Sequence, residues 1–191
     1  HMKTVEPLVY MSHRGMKVDI SGIEVMLDDV NKELTNLQEE LNKCCGYDIN
    51  SRSPQQLMNL FYNKRGIKPY LKDGRPTTDI TALTRMSRNG VKEAVILLRT
   101  RKLEKLKSSY LEVKLGSDGR LRGSMNPITK NGRLSSSRDI FGEGVNVQTL
   151  PEIIRQYIIT DDKCMAYSVD LSQGENRVVA YIAPEPTMIK A

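Results

Sequence analysis

The sequence predicts an α+β fold, with a helical lobe followed by a lobe of short strands and turns. Three observations carry that prediction. Ile23, Leu27, Val30, Leu34, Leu37 and Leu41 repeat at alternating steps of four and three, which puts them on one face of a long helix. A second helical pattern runs through "VKEAVILLRTRKLEKLKSSYLEVKL", from Val91 to Leu115. After Gly116 the character changes: "SDGRLRGSMNP", "GRLSSS" and "VNVQTL" are short, turn-punctuated and strand-like. With 191 residues the chain has room for one domain with a real core, or for two small lobes.

Each element has its local reason. The first long helix opens on Ser21 with Glu24 three residues on, the spacing of a capping box, and Gly46 ends it. "SPQQLMNLFYNKRG" reads as a second helix, with Ser53 as cap, Pro54 in the first turn and Gly66 past the end. "KPYLKDGRPTTD" carries Pro69, Gly74 and Pro76 and reads as a loop. A short helix from about Asp79 to Arg88 stops at Asn89-Gly90. The helix after it is expected to bury Val91, Val95, Leu98, Leu106 and Tyr110, leaving Arg99, Arg101, Lys102, Lys105 and Lys107 outside. Further on, "RQYII" and "KCMAYSVDL" read as buried segments, and a helical pattern from Gln173 to Ala183 ends at "PEP".

Composition narrows the function. Trp is absent and only 5% of residues are aromatic, so the core is built from Leu, Ile, Val and Met. No apolar run approaches the roughly 20 residues that span a bilayer. No basic-then-apolar leader is visible, and His1-Met2 reads as a cloning remnant. Of three cysteines, two are adjacent (Cys44, Cys45), which suits neither a disulfide framework nor a metal site. A reducing, cytoplasmic compartment is the expectation. The net charge of +6 is unevenly spread: Ser21–Lys43 carries six acids against two bases, and Arg99–Arg138 carries eleven bases against three acids. A local excess of that size suits a phosphate-backbone surface as well as a solvated face.

"SVDLSQGENR", residues 168 to 177, raises the sharpest question. An apolar run expected to be a strand climbs to Asp170, with Glu175 and Arg177 just beyond. A carboxylate delivered to a strand end is a common way to present a ligand for a hard cation such as Mg²⁺. A two-metal site needs further acids. Asp161 and Asp162 cannot supply them from the same strand, because eight residues at about 3.3 Å each span about 26 Å.

Order decides between a metal ligand and an ordinary turn residue. "KLEKLKSSY", "NGRLSSS", "VNVQTLP", "IIRQYI" and "VDLSQGENR" occur in this sequence in that order. Together they closely resemble the polymerase domain of family A DNA polymerases, where the segments typically read KLKSTY, TGRLSS, NLQNIP, IRQAF and DYSQIELR. "EPLVYMSHRGMKVD" resembles the start of that domain and "YDINSRSPQQLMNLFYNKRGIKP" its thumb. The resemblance implies that residues 3–20 open the polymerase domain, 21–113 form a helical thumb, and 114–191 form the first part of an antiparallel palm sheet. It further implies that Asp170 is a catalytic, metal-holding aspartate, with the backbone carbonyl of Leu171 also facing a metal. Glu175 would select the nucleotide sugar. Lys105, Lys107, Arg133, Asn146, Gln148, Arg155, Gln173 and Arg177 would contact DNA.

Departures are present: Gly174 and Asn176 replace two apolar residues of the motif, Leu171 replaces its tyrosine, and "RDIFGEGV" lengthens the link before Asn146. Family members continue into fingers that grip the dNTP and then to a second catalytic aspartate, neither of which is in these residues. The expectation is therefore a fragment or split subunit, truncated before the fingers. It would be inactive by itself and would complete a Mg²⁺ pair only with a complementary fingers-palm chain, or else self-associate. Primer-template DNA is the expected partner, with no membrane. Two other readings stay open: a non-catalytic nucleic-acid binder, and an interaction module using the Ile23–Leu41 stripe.

Overall fold

The structure, a computed structural model, describes residues 2–130, 132–139, 142–167, 169–183 and 186–187. It is α+β and falls into two compact units, His1–Ile159 and Thr160–Ala191.

In the first unit, helix α1 (Met2–Arg14) leads through strand β1 (Met16–Val18) into helix α2 (Ile20–Cys45). The cap of α2 differs from the sequence expectation. Asp19 is the N-cap and its carboxylate accepts from Gly22 N at 3.1 Å, while the Ser21 hydroxyl donates to Asp19 at 2.7 Å. An acceptor-only carboxylate two residues earlier outcompetes a hydroxyl for the first free N–H groups. Gly46, at φ +75°, closes the helix as expected. Helix α1 was not anticipated as a helix, since Pro7 lies inside it and proline reads as a breaker.

Helix α3 (Pro54–Met58) is capped by Ser53 as expected and continues as a π-helical turn over Asn59–Lys64. The expected loop contains a hairpin, β2 (Leu71–Lys72) with β3 (Arg75–Pro76). Asp73 and Gly74 both have positive φ, the requirement of the tight primed turn that suits two-residue hairpins. Helix α4 (Ile80–Arg88) follows, capped by Asp79. Helix α5 (Lys92–Leu106) then passes into a second π-helical turn, Lys107–Leu111.

The buried face of α5 is not the expected one. Glu93, Ala94, Ile96, Leu97 and Thr100 are inside, while Val95 is 52% exposed. Two neighbours, α2 and α4, pack on this helix, so it buries two faces and a single-stripe count chooses wrongly. The buried Glu93 is paired with Arg65.

Strands β4 (Arg120–Leu121), β1 and β7 (Ile158–Ile159) form an antiparallel sheet in the order β4-β1-β7. Lys17 stands opposite both Arg120 and Ile159. A second hairpin pairs β5 (Ser124–Asn126) with β6 (Ser135–Ser137). "VNVQTL" is not a strand: Val147–Thr149 is a 3₁₀ turn capped by Asn146. Helix α6 (Glu152–Arg155) follows it.

The core has two clusters. Leu41, Leu57, Phe61, Leu83 and Leu97 fill the helical end. Val18, Val30, Leu111, Leu121, Leu150 and Ile154 fill the sheet end. Helix α2 feeds both, with Leu37 and Leu41 in the first and Met26 and Val30 in the second. This shared helix is why residues 21–113 and 114–159 lie in one compact unit and the division comes at Ile159.

One turn carries a pH-sensitive contact. Arg122 reaches Asp118 through two nitrogens, at 2.8 and 2.6 Å, and donates to His13 O at 2.8 Å. The Arg122 hydrogen bonds hold the Asp118 carboxyl far below its ordinary value of 3.8. A depressed carboxylate contributes stability that is complete above its unfolded pKa and is lost as pH falls toward the folded one. Asp118→Asn is therefore expected to weaken the acid limb of a pH-stability curve below about pH 4. An unchanged acid limb in chemical denaturation would contradict the coupling.

In the second unit, helix α7 (Gly174–Ile182) has Gln173 as its N-cap at φ +53°. Pro184 and Glu185 of the "PEP" breaker lie outside the described residues, as does Ser168. The expected strand leading to Asp170 is absent among the described residues of 164–170. Met165, Tyr167 and Val169 are 75%, 80% and 89% exposed rather than buried. A strand needs neighbours for its N–H and C=O groups, and no described strand pairs with this segment.

Candidate nucleic-acid interface

Helices α5 and α6 flank a groove of about 1350 Å³ in the first unit. Lys102 and Lys105 on one wall face Arg155 on the other, with Leu106, Tyr110 and Ile153 among the apolar lining residues. Pro151 starts α6 and Ile154 anchors it in the core. Arg155 is exposed, and its Nε donates to Leu150 O at 3.0 Å. The Tyr110 hydroxyl donates to Thr149 O at 3.1 Å, joining the end of the basic helix to the 3₁₀ turn.

The basic run does not present all its charges to the groove. Arg99 lines the groove but is paired with Glu33 of α2 at 2.5 Å, and Arg101 donates to Thr78 O at 2.6 Å. Lys107 lies 2.7 Å from Asn31 Oδ1 and 3.4 Å from Glu112. Lys102 and Lys105 are exposed and have no hydrogen bond or ion pair with any described residue. Of the two expected lysine contacts, Lys105 thus lines the groove and Lys107 is engaged elsewhere. Lys102 was expected within the exposed basic cluster but was not singled out as a contact. Its three-residue spacing from Lys105, which puts both on one helix face, was the available signal.

A second cluster brings together the expected residues of "NGRLSSS" and "VNVQTLP". Ser136 Oγ accepts from Val147 N at 3.1 Å, and Gln148 Nε2 donates to Leu134 O at 3.2 Å. Asn146 Oδ1 accepts from Gln148 N at 3.0 Å. Arg133 is exposed in the β5–β6 loop beside Leu134. Two glycines allow the approach. A Cβ at Gly123 would lie 2.4 Å from Val145 O, and one at Gly144, which has φ +77°, would lie 2.2 Å from Arg122 O. Ile140 and Phe141, within the lengthened link, lie outside the described residues, as does Asn131.

In the second unit Asp170, Leu171, Gln173, Glu175 and Arg177 are all exposed. The Leu171 carbonyl already accepts from Gly174 N at 3.2 Å. Glu175 lies in the first turn of α7, where a negative charge favours the helix dipole. Among the described residues no three His, Cys, Asp or Glu side chains gather closely enough to hold a metal ion. One carboxylate and an engaged carbonyl do not fit a two-ion Mg²⁺ site by themselves. Nor does Cys45 suggest nucleophilic chemistry: burial, then the charge of Glu93, pushes its thiol up, opposite to an activated thiol. Among the described residues no helix is long and apolar enough to cross a membrane.

Comparison with known proteins gives these features a context. The chain is 30% identical over 190 residues to the thermostable DNA polymerase I of Thermus filiformis, covering 95% of this chain and 23% of that protein. It is 27% identical over 199 residues to DNA polymerase I of Synechocystis sp., covering 96% of this chain and 19% of that protein. It thus spans about a fifth of the length of these relatives. Among solved structures it is similar to the POL domain of Pol1 from M. smegmatis in complex with DNA primer-template and dNTP. That match has a TM-score of 0.77 and 27% identity, covering 96% of this chain and 34% of that one. The profile of DNA polymerase family A matches residues 21–191, a span that contains the basic groove, the paired glycine-dependent segments and Asp170, and the chain belongs to that family.

Proposed function

We propose that this chain is the thumb and first palm segment of a DNA-directed DNA polymerase. In this reading residues 3–20 open the domain, 21–113 form the thumb and 114–191 begin the palm. The observation that carries it is the groove lined by Lys102, Lys105 and Arg155 together with apolar side chains, in a chain of a family whose solved relative is bound to primer-template and dNTP. Point charges on a groove wall suit phosphates, which position a duplex without reading its sequence. Arg133, Asn146 and Gln148 take the primer-terminal side, with Gln173 and Arg177 as further DNA contacts.

Asp170 supplies one carboxylate to a Mg²⁺ pair whose remaining ligands come from outside these residues, and Glu175 guards the nucleotide sugar. The parent activity is template-directed nucleotidyl transfer to a primer 3′ end. A complementary fingers-palm chain is the proposed partner. The exposed Met165, Tyr167, Val169 and Leu171 support this, since several large apolar side chains exposed within one short segment suit an interaction site. Self-association is the alternative outcome, and light scattering separates the two.

Affinity for a primer-template duplex, measured against salt, tests the reading. Lys102→Ala with Lys105→Ala is expected to reduce the slope of log K against log salt by about 1.8, from about 0.9 for each phosphate contact. The same loss should appear on unrelated duplex sequences. Wild-type binding that is insensitive to salt would refute the assignment.

A further inference from the structure

The basic run along α5 and the π-helical turn after it performs two jobs, and Lys107 belongs to the second. We propose that Lys107 is a positioning residue rather than a phosphate contact. It fastens the π-helical turn 107–111 to α2, so that Tyr110 reaches the 3₁₀ turn and holds the wall of the groove. Only the last clause rests on the proposed DNA binding.

The Lys107 side chain is 25% exposed, and its ammonium meets Asn31 Oδ1 at 2.7 Å and Glu112 at 3.4 Å. Asn31 lies on α2, 76 residues earlier, so the contact is a tertiary tie. Glu112 N also donates to Lys107 O at 2.9 Å, the wide bond that closes the π turn. That wider turn holds Leu111 in the sheet-end core and presents Tyr110 to the groove, with its hydroxyl on Thr149 O. The π turn therefore joins two tertiary ties, Lys107 to Asn31 at its start and Tyr110 to Thr149 near its end. Lys105, two residues away, is exposed on the groove wall and takes no part in either tie. Moving the Lys107 ammonium to a phosphate would leave Asn31 and Glu112 without it, whereas Lys105 has no such partners to give up.

Two measurements test the tie, one of them without DNA. Hydrogen exchange on the DNA-free protein is expected to show faster exchange at residues 107–112 and also at 147–150 in Lys107→Met. Asn31→Ala should do the same, whereas Lys105→Met should change neither segment. Exchange at 147–150 that matches wild type in Lys107→Met would overturn the inference. With DNA, Lys107→Met is expected to lower affinity while leaving the salt slope unchanged, and Lys105→Met should lower the slope by about 0.9. A Lys107→Met slope reduced by that amount would show a phosphate contact and overturn it equally. A wild-type protein that fails to bind DNA at all would refute the proposed function, while the exchange experiment would still decide the tie.

Discussion

Asp170→Ala is expected to abolish primer extension in a polymerase completed with the fingers and the rest of the palm. Asp170 is exposed and has no hydrogen bond or ion pair with any described residue, so its removal should leave folding untouched. Groups that only support a metal ligand typically cost roughly 10–100-fold when changed. Loss of a carboxylate that itself holds the ions should exceed that, because phosphoryl transfer depends on positioning and charge neutralisation by the metals. These 191 residues without the completing chain are expected to leave the primer unextended, which provides the baseline. Thermal unfolding of the variant should match wild type. Extension by Asp170→Ala within tenfold of wild type would remove Asp170 from the metal site.

Phe61→Ala is expected to destabilise the first unit by about 3–5 kcal/mol. The ring is fully buried, in contact with the cluster that includes Leu41, Leu57 and Leu97. It sits in the π-helical turn Asn59–Lys64, and its carbonyl also accepts from Ile67 N at 3.0 Å. Domains are commonly stable by only about 5–15 kcal/mol, so the variant should lose a large part of its margin in denaturant titration. Val95→Ala, at an exposed position on α5, is the contrast and should stay within about 0.5 kcal/mol. A larger loss from Val95→Ala than from Phe61→Ala would restore the single-stripe reading of that helix.

Helices α2 to α5 were legible because their signals are local. Ser53, Pro54, Asp79, Gly46 and the 23–41 stripe each act within a turn or two of their own position. Two errors were local, Pro7 hiding α1 and Asp19 displacing Ser21 as the cap of α2, and others arose where a neighbour from elsewhere decided. Val95 was misplaced because α2 and α4 both cover α5, and periodicity cannot show how many faces a helix buries. "VNVQTL" has the apolar alternation of a strand, but Asn146 caps its backbone and Ser136 takes the Val147 N–H.

The candidate site divides in the same way. The five ordered segments identified the family relationship, and their polar residues were candidates on sequence grounds alone. What the sequence determined by itself is which residue types are available and in what order, because caps, helical periodicity and motif spacing are properties of adjacent residues. Only the tertiary structure decided their duties: Arg99, Arg101 and Lys107 hold the helix to its neighbours, while Lys102 and Lys105 face Arg155 across the groove. The reason is physical. A lysine has the same charge wherever it stands, and whether that charge meets a carboxylate, an amide or solvent depends on side chains dozens of residues away.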